Sequence, residues 1–491
     1  MRRDDIPVAG RPGAGAAMRR GAAGVLALGA VALAGCGGGS PLTAADARTC
    51  EADLTSADDL QVVVFDAFPD LSQAYGITDW QERGRWVVDQ LRGTAEQSQA
   101  KAVAMVEEAG ICIHRTSVNW IANTMIFAGP PDLGQRVAGL PGVKAVLSED
   151  SPAFDRAFYD KVPAPSRPAW DLQMVKAPQA WSRGITGTGV TVGIIDTGVD
   201  WRHPALMPRY RGYNGEGKPL DFDRNWWSPL DRFMDEPMYT SPHGTHVTGT
   251  AVGGTGLPGG APIGAAPGAR FMAAVACTAS ACPLAGVLSG LQFMIAPTDR
   301  QGRDPDPAMR PQIVSNSWQR NAEEVPLERA VTALEASGVL PVFAVGNDGP
   351  ACDTAKTPGS ADDRLMSVGA VDRAGQVAAF SGRGPAPGGG ADPDVVAPGA
   401  GLVSSIPTRA YAASDGTSMA APQVAGVAAL VMQANPALVG KNEEIVKIIR
   451  QTARPAGDDT CGTTDGGRRN NSGGYGIVDA DSAVRAAEAI R

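Results

Sequence analysis

Three polar clusters carry residue types that can do chemistry together. Asp196 stands in Asp196-Thr197-Gly198, directly after the apolar run of residues 190–195. His243 opens His243-Gly244-Thr245-His246, and Ser418 sits within Gly416-Thr417-Ser418-Met419-Ala420-Ala421-Pro422. A carboxylate at the end of a buried strand is poorly solvated, which suits it to orienting a histidine and favouring the cationic form. An imidazole with a fixed tautomer can take a proton as a general base. A serine at a helix start gains from the helix dipole, and its own N–H can donate to a developing oxyanion. The combination describes nucleophilic acyl transfer.

Each cluster also has a plainer reading. Asp196-Thr197-Gly198 makes an ordinary turn, and Ser418 an ordinary helix cap. His243 and His246 could be capping residues or a His-x-x-His metal pair. A hydrolytic zinc site needs a third ligand and an adjacent glutamate, and none lies nearby in the sequence. The other histidines are His114, in the N-terminal region, and His203, before Pro204 in a turn. Asp415 could join Asp196 as a second carboxylate for aspartic-peptidase chemistry, which requires two β-rich lobes.

The elements that must position these groups alternate. Strands are expected over 190–195, 270–276, 313–315 and 339–345, with helices over 284–295 and 326–337, the latter closed by Gly338. Such alternation points to an α/β fold with a parallel sheet and helices on both faces. Ligands in these folds sit beyond the carboxyl ends of the strands, where the polar clusters fall. The segment from Gly416 opens an apolar helix to about residue 434, and Pro422 is tolerated early in it. Residues 50–150 form a separate small α+β unit. Its expected elements are a strand at 61–65, helical stretches over 80–109 closed by Gly110, and a strand pair over 111–127 turning near Asn119-Trp120. A short helix at 130–139 and a strand at 143–147 complete it. Residues 151–169 read as a Pro- and charge-rich linker.

The 491 residues carry a net charge of -9 and no Lys/Arg stripe, so no nucleic-acid partner is expected. The 61 glycines and 38 prolines are spread through periodic segments, as in a loop-rich globular protein. At the N-terminus, Arg19-Arg20 precedes an apolar run of residues 25–34, too short to span a bilayer. Leu33-Ala34-Gly35-Cys36 resembles the bacterial lipoprotein signal, with Cys36 as the lipidated residue; the other reading is an ordinary secretory signal. Residues 1–36 then form the signal and 37–49 a tether. The expected location is the bacterial cell envelope, held to a membrane surface by lipid, or outside the cell as a secreted protein. Six further cysteines suit an oxidising compartment. Of the fifteen pairings open to six cysteines, a shared N-terminal region favours Cys50–Cys112 and a short loop Cys277–Cys282, which leaves Cys352 with Cys461.

The chain order Asp, His, Ser is that of subtilisin, and the three clusters resemble the three signatures of the subtilase family. The resemblance spans roughly residues 170–487, including Gly474-Tyr475-Gly476-Ile477-Val478-Asp479-Ala480. Asn225-Trp226-Trp227 and Gly346-Asn347-Asp348-Gly349-Pro350-Ala351-Cys352 are similar to the bacillopeptidase F-like branch. The implied architecture is a subtilisin-like three-layer α/β domain over 170–491, preceded by a propeptide-like domain. Residues 50–150 resemble the inhibitor-type propeptide, with Gly142-Val143-Lys144-Ala145-Val146 before Glu149-Asp150 as its ending. By the same resemblance Asp196, His243 and Ser418 are the catalytic triad. Asn347 and the Ser418 N–H form the oxyanion hole, and Ser317, Trp318, Gln319 and Gly346 bind substrate by strand addition.

Some positions depart from the pattern. Trp318-Gln319 replaces a small, glycine-containing continuation, and Lys356 would bias the pocket towards acidic residues. Gln423 stands where many subtilases have histidine. Ala205 stands where subtilisins often have a calcium-binding aspartate; the acidic residues Asp221, Asp223, Asp231, Asp235 and Glu236 would bind structural calcium or form a solvated loop. The resemblance implies a secreted, self-processed serine endopeptidase with polypeptide substrates, its own propeptide as partner and no required cofactor. The reading from a different class is a catalytically dead subtilase fold used for binding.

Overall fold

The computed structural model describes residues 60–109, 118–128, 131–148, 159–228, 236–256, 259–319, 325–356, 358, 364–385, 392–458 and 460–490. The targeting segment with Cys36, the tether, Cys50, Cys112, His114, Glu149-Asp150, Asp231 and Asp235 lie outside the described residues.

The N-terminal domain has the expected order: β1 (Leu60–Phe65), α1 (Trp80–Glu108), β2 (Val118–Asn119), β3 (Thr124–Ala128), α2 (Pro131–Ala138) and β4 (Val143–Ser148). Its antiparallel sheet runs β2-β3-β1-β4. The helical stretches prove to be one helix of 29 residues, started by Asp79, whose side chain accepts the Glu82 N–H. Gly84 lets the Arg310 guanidinium pack close against it, since a Cβ there would lie 2.2 Å from that group. Alternation along β1 divides its side chains. Val63 and Phe65 pack with Ala102, Val106, Leu133 and Val137. Val62 joins a cluster with Leu284, Leu288, Leu327 and Val331, so the two domains share apolar packing.

The larger domain begins with β5 (Asp160–Val162), α3 (Trp170–Met174) and α4 (Ala177–Trp181). Then come β6 (Thr191–Asp196), β7 (Trp226–Trp227), α5 (His243–Val252), β8 (Arg270–Val275), α6 (Leu284–Ile295), β9 (Ile313–Asn316) and α7 (Val325–Ala336). After these follow β10 (Leu340–Ala344), β11 (Met366–Val371), β12 (Val395–Pro398), β13 (Leu402–Ile406) and β14 (Ala410–Ser414). Last are α8 (Thr417–Ala434), α9 (Asn442–Thr452) and α10 (Ala480–Ala489). The main sheet, β12-β11-β10-β9-β6-β8-β7, is parallel throughout.

Both faces are covered, which is why these strands read as continuous apolar runs. Val192, Ile194, Val342 and Ala344 lie on the face covered by α5 and α8. Ile195, Met272 and Phe343 face α6 and α7. Strand order reverses at β6, which pairs with β8 on one side and β9 on the other. Asp196 is its last residue, at the switch point where such sheets place ligands.

The linker differs from expectation. Asp160–Val162 pairs antiparallel with β14 in a small β13-β14-β5 sheet. Three residues are too few to show periodicity, and the edge they join lies about 250 positions away. Two expected disulfides are present, Cys277–Cys282 and Cys352–Cys461. Among the described residues, no helix is long and apolar enough to cross a membrane.

Candidate active site

Asp196 and His243 are brought together by the end of β6 and the start of α5. His243 Nδ1 lies 2.8 Å from Asp196 Oδ1 and 3.0 Å from Oδ2. Both side chains are buried, with 2 % and 1 % exposure. The Thr197 N–H donates to Asp196 Oδ1 at 2.7 Å. The Thr197 hydroxyl accepts the Gly244 N–H at 3.0 Å and donates to the Ser241 carbonyl at 3.1 Å, tying the strand end to the helix start. Close approach explains Gly244: a Cβ there would meet Gly198 O at 2.1 Å and Asp196 Oδ1 at 3.1 Å. A carboxylate accepting from Nδ1 leaves Nε2 as the nitrogen that can exchange a proton with a substrate or nucleophile.

Ser418 lies in the first turn of α8, after Gly416 at the N-cap with φ 146°. Its hydroxyl donates to the Ser317 carbonyl at 3.1 Å, and the Ser317 hydroxyl donates back to the Ser418 carbonyl at 2.9 Å. Asn347 follows β10. Its Oδ1 accepts from both the N–H and the hydroxyl of Thr417, each at 2.9 Å. A backbone N–H can only donate, so the oxygen end of the amide must face Thr417 and the Nδ2 end is the one that can donate elsewhere. α5, which His243 begins, packs against α8, which carries Ser418; a buried Asp–His pair, a helix-start serine and an oriented amide donor are the groups acyl transfer uses.

The subtilase family model matches residues 187–477. The chain belongs to the subtilase family. It is 33% identical to bacillopeptidase F of Bacillus subtilis (strain 168) over 430 residues, which cover 83% of this chain and 29% of that protein. It is 34% identical to alkaline elastase YaB of Bacillus sp. (strain YaB) over 316 residues, 64% of this chain and 70% of that one. Subtilisin Savinase of Lederbergia lenta is 32% identical over 316 residues, 64% of this chain and 98% of that one. The subtilase therefore spans less than a third of the length of bacillopeptidase F.

The remaining expected site residues divide. In this subtilase Ser317, Gln319 and Gly346 lie around Ser418 and Asn347, but the Trp318 indole turns into the core, 2 % exposed and edge-on to Phe343 with centroids 5.6 Å apart. Only the main chain of Trp318 is left to meet a substrate. Alternation after β9 sends Ser317 and Trp318 to opposite faces. Lys356 packs beside Gly346, and its ammonium pairs with Asp348 at 2.9 Å, which offsets the charge expected to select acidic residues.

His246 and His203 are core histidines. Nε2 of His246 lies 3.1 Å from the Ala412 carbonyl, and burial pushes its pKa down to about 3. His203 Nε2 lies 3.1 Å from Ala410 O, and its Nδ1 accepts the Ala205 N–H. His246 therefore spends its ring on β14 rather than on a metal shared with His243. Asp415 accepts the Gly401 N–H, and the parallel sheet excludes the two β-lobes an aspartic peptidase needs. Ala205 packs with Ile263 and Tyr411, and Asp221 and Asp223 accept the backbone N–H groups of Asp223 and Arg300. Among the described residues, no group of three or more His, Cys, Asp or Glu is placed to hold a metal ion.

Two residues went unassigned in the sequence. Thr417 orients Asn347, and its place beside Ser418 was the only signal. Tyr159 lies with its ring centroid 5.8 Å from that of His246; burial, with the Asp196 charge adding, pushes its phenol pKa upwards. Nothing in the linker's composition pointed to it.

Proposed function

We propose that this subtilase is an exported serine endopeptidase that hydrolyses peptide bonds through an acyl-enzyme on Ser418 and releases itself from a zymogen. The observation that carries the reading is the buried Asp196–His243 pair at 2.8 Å, at the start of a helix that packs against the one Ser418 begins. His243 takes the Ser418 proton as the hydroxyl attacks the scissile carbonyl, then delivers it to the leaving amine. Asp196 holds the imidazole and stabilises its cation, while Asn347 Nδ2 and the Ser418 N–H receive the oxyanion. Water then repeats the sequence on the acyl-enzyme. The steps use only groups of this chain. Ser317, Gln319, Gly346 and the Trp318 main chain would border the polypeptide substrate.

Residues 50–150 act in this reading as the propeptide, cleaved within the linker. Tyr159 supports it, because the middle of the linker lies beside His246, one turn along the helix that His243 begins. Lipid at Cys36 would hold the precursor on a membrane of the cell envelope, so linker cleavage would separate the peptidase from its anchor. Ser418→Ala, purified from a host without other proteases, is expected to cleave no substrate and to retain its N-terminal domain. Full processing of that variant would overturn self-cleavage. A processed wild type that fails to react with a fluorophosphonate at Ser418 would instead favour a binding module. Incorporation of labelled palmitate that persists in Cys36→Ala would remove the anchor.

A further inference from the structure

Gln319 meets the main chain of Asn347, whose side chain Thr417 holds. Its Oε1 accepts the backbone N–H of Asn347 at 3.1 Å, and its Nε2 donates to Asp348 Oδ2 at 3.3 Å. The same carboxylate oxygen is held by Lys356 Nζ at 2.9 Å. One end of the amide meets an obligate donor and the other a carboxylate, so its orientation is determined at both ends. Gly346, with φ 102°, makes the approach possible, because a Cβ there would stand 2.7 Å from Gln319 Oε1. Two residues earlier, Ser317 exchanges two hydrogen bonds with Ser418. The short segment from Ser317 to Gln319 thus touches the nucleophile at one end and the oxyanion donor at the other.

We infer that Gln319 is a positioning residue for Asn347, fixing the backbone from which the oxyanion-binding amide projects; this rests on the peptidase reading above. Thr417 holds the amide oxygen of Asn347 and Gln319 its main chain. An oxyanion donor contributes only when it is held where charge develops, so slack here is felt in the transition state rather than in substrate binding. The Asp348–Lys356 pair supports the strap by keeping a carboxylate in front of Gln319 Nε2.

The test compares Gln319→Met, which keeps length and removes both hydrogen bonds, with Gln319→Ala, Asn347→Ala and the Gln319→Met/Asn347→Ala double variant. Each is matured from the full chain and assayed on one peptide anilide. Gln319→Met and Gln319→Ala are expected to lower kcat about 10-fold, less than the 10²–10³ of losing a donor outright, with KM within about twofold. Binding of a peptidyl boronate should weaken in parallel with kcat. In the Asn347→Ala background Gln319→Met should cost nothing further, since the group it positions is gone. A rise in KM with kcat unchanged would confine Gln319 to substrate binding, with no part in holding Asn347, and overturn the inference. Additive losses in the double variant would also overturn it. An active wild type with unaffected variants sinks this inference alone, whereas a wild type inert to the anilide and to fluorophosphonate sinks the peptidase reading as well.

Discussion

Thr417 gives two hydrogen bonds to one oxygen, Asn347 Oδ1, one from its N–H and one from its hydroxyl. The residue before the serine therefore turns the amide of a residue 70 positions away. In the proposed mechanism, that spacing makes a sequence neighbour of Ser418 the orienting group for the oxyanion donor.

Thr417→Val keeps the N–H bond and the β-branched shape but removes the hydroxyl. It is expected to lower kcat about 3- to 10-fold, against about 10²–10³ for Asn347→Ala. Steady-state kinetics on a peptide anilide check both, with KM nearly unchanged. A Thr417→Val loss as large as that of Asn347→Ala would mean that the hydroxyl does more than orient the amide.

Two buried titrating groups pull stability in opposite directions with pH. His246 is lowered by burial from 6.5 to about 3, so the unfolded chain binds more protons across that window. Its contribution is complete above pH 6.5 and is lost as pH falls towards 3. Asp171, whose Oδ2 accepts from Gln423 Nε2 at 3.0 Å, is raised by burial from 3.8 to about 7. Its contribution is complete below pH 3.8 and is lost as pH rises through 7. Asp171→Asn keeps an oxygen for Gln423 and cannot ionise. In a Ser418→Ala background it is expected to stabilise the protein by on the order of 1–3 kcal/mol at about pH 8 and to change little near pH 4. Thermal unfolding at the two pH values decides; equal shifts at both would contradict ionisation as the cause.

Arg83 joins the two domains through carbonyls rather than a carboxylate. It is buried and donates to Ala336 at 2.5 Å, Gly440 at 2.8 Å and Glu335 at 3.0 Å, capping the end of α7. Arg329 reaches the other way, to the carbonyls of Phe65 and Asp66 at 2.6 and 2.9 Å. Arg83→Met should weaken the docking of residues 60–148 by about 2–3 kcal/mol. Hydrogen exchange on the full-length Ser418→Ala protein reads this as lost protection in α1. Unchanged exchange would show that the shared apolar packing suffices.

The two disulfides close loops of very different length, 109 and 5 residues apart in sequence. By the chain-entropy argument, replacing Cys352 and Cys461 with serine costs about 4–5 kcal/mol, and replacing Cys277 and Cys282 about 2 kcal/mol. Denaturant unfolding of the Ser418→Ala protein with each pair replaced gives the ranking. The reverse order would place the stabilisation in the folded state.

Much of the fold was legible because its signals are local. The parallel strands are buried on both faces and must be apolar along their length, so residues 191–196, 270–275, 313–316 and 340–344 announce themselves. Gly244, Gly346 and Gly416 mark close approaches or a positive φ that only glycine accepts, and the motifs carry them for that reason. Asp196, His243 and Ser418 could be named because each stands at the end or beginning of such an element.

What the sequence alone determined was therefore the order of elements and the residues that can do chemistry. Tertiary structure decided which partners they meet. It turned Trp318 into the core, gave Lys356 to Asp348, made a strand of residues 160–162, and set Thr417 and Gln319 in hydrogen bonds to Asn347. Periodicity and turn chemistry act over a few residues, whereas these hydrogen bonds close over separations of 28 and 70 positions. Their formation depends on where whole strands and helices pack, and so does the burial that holds His246 neutral.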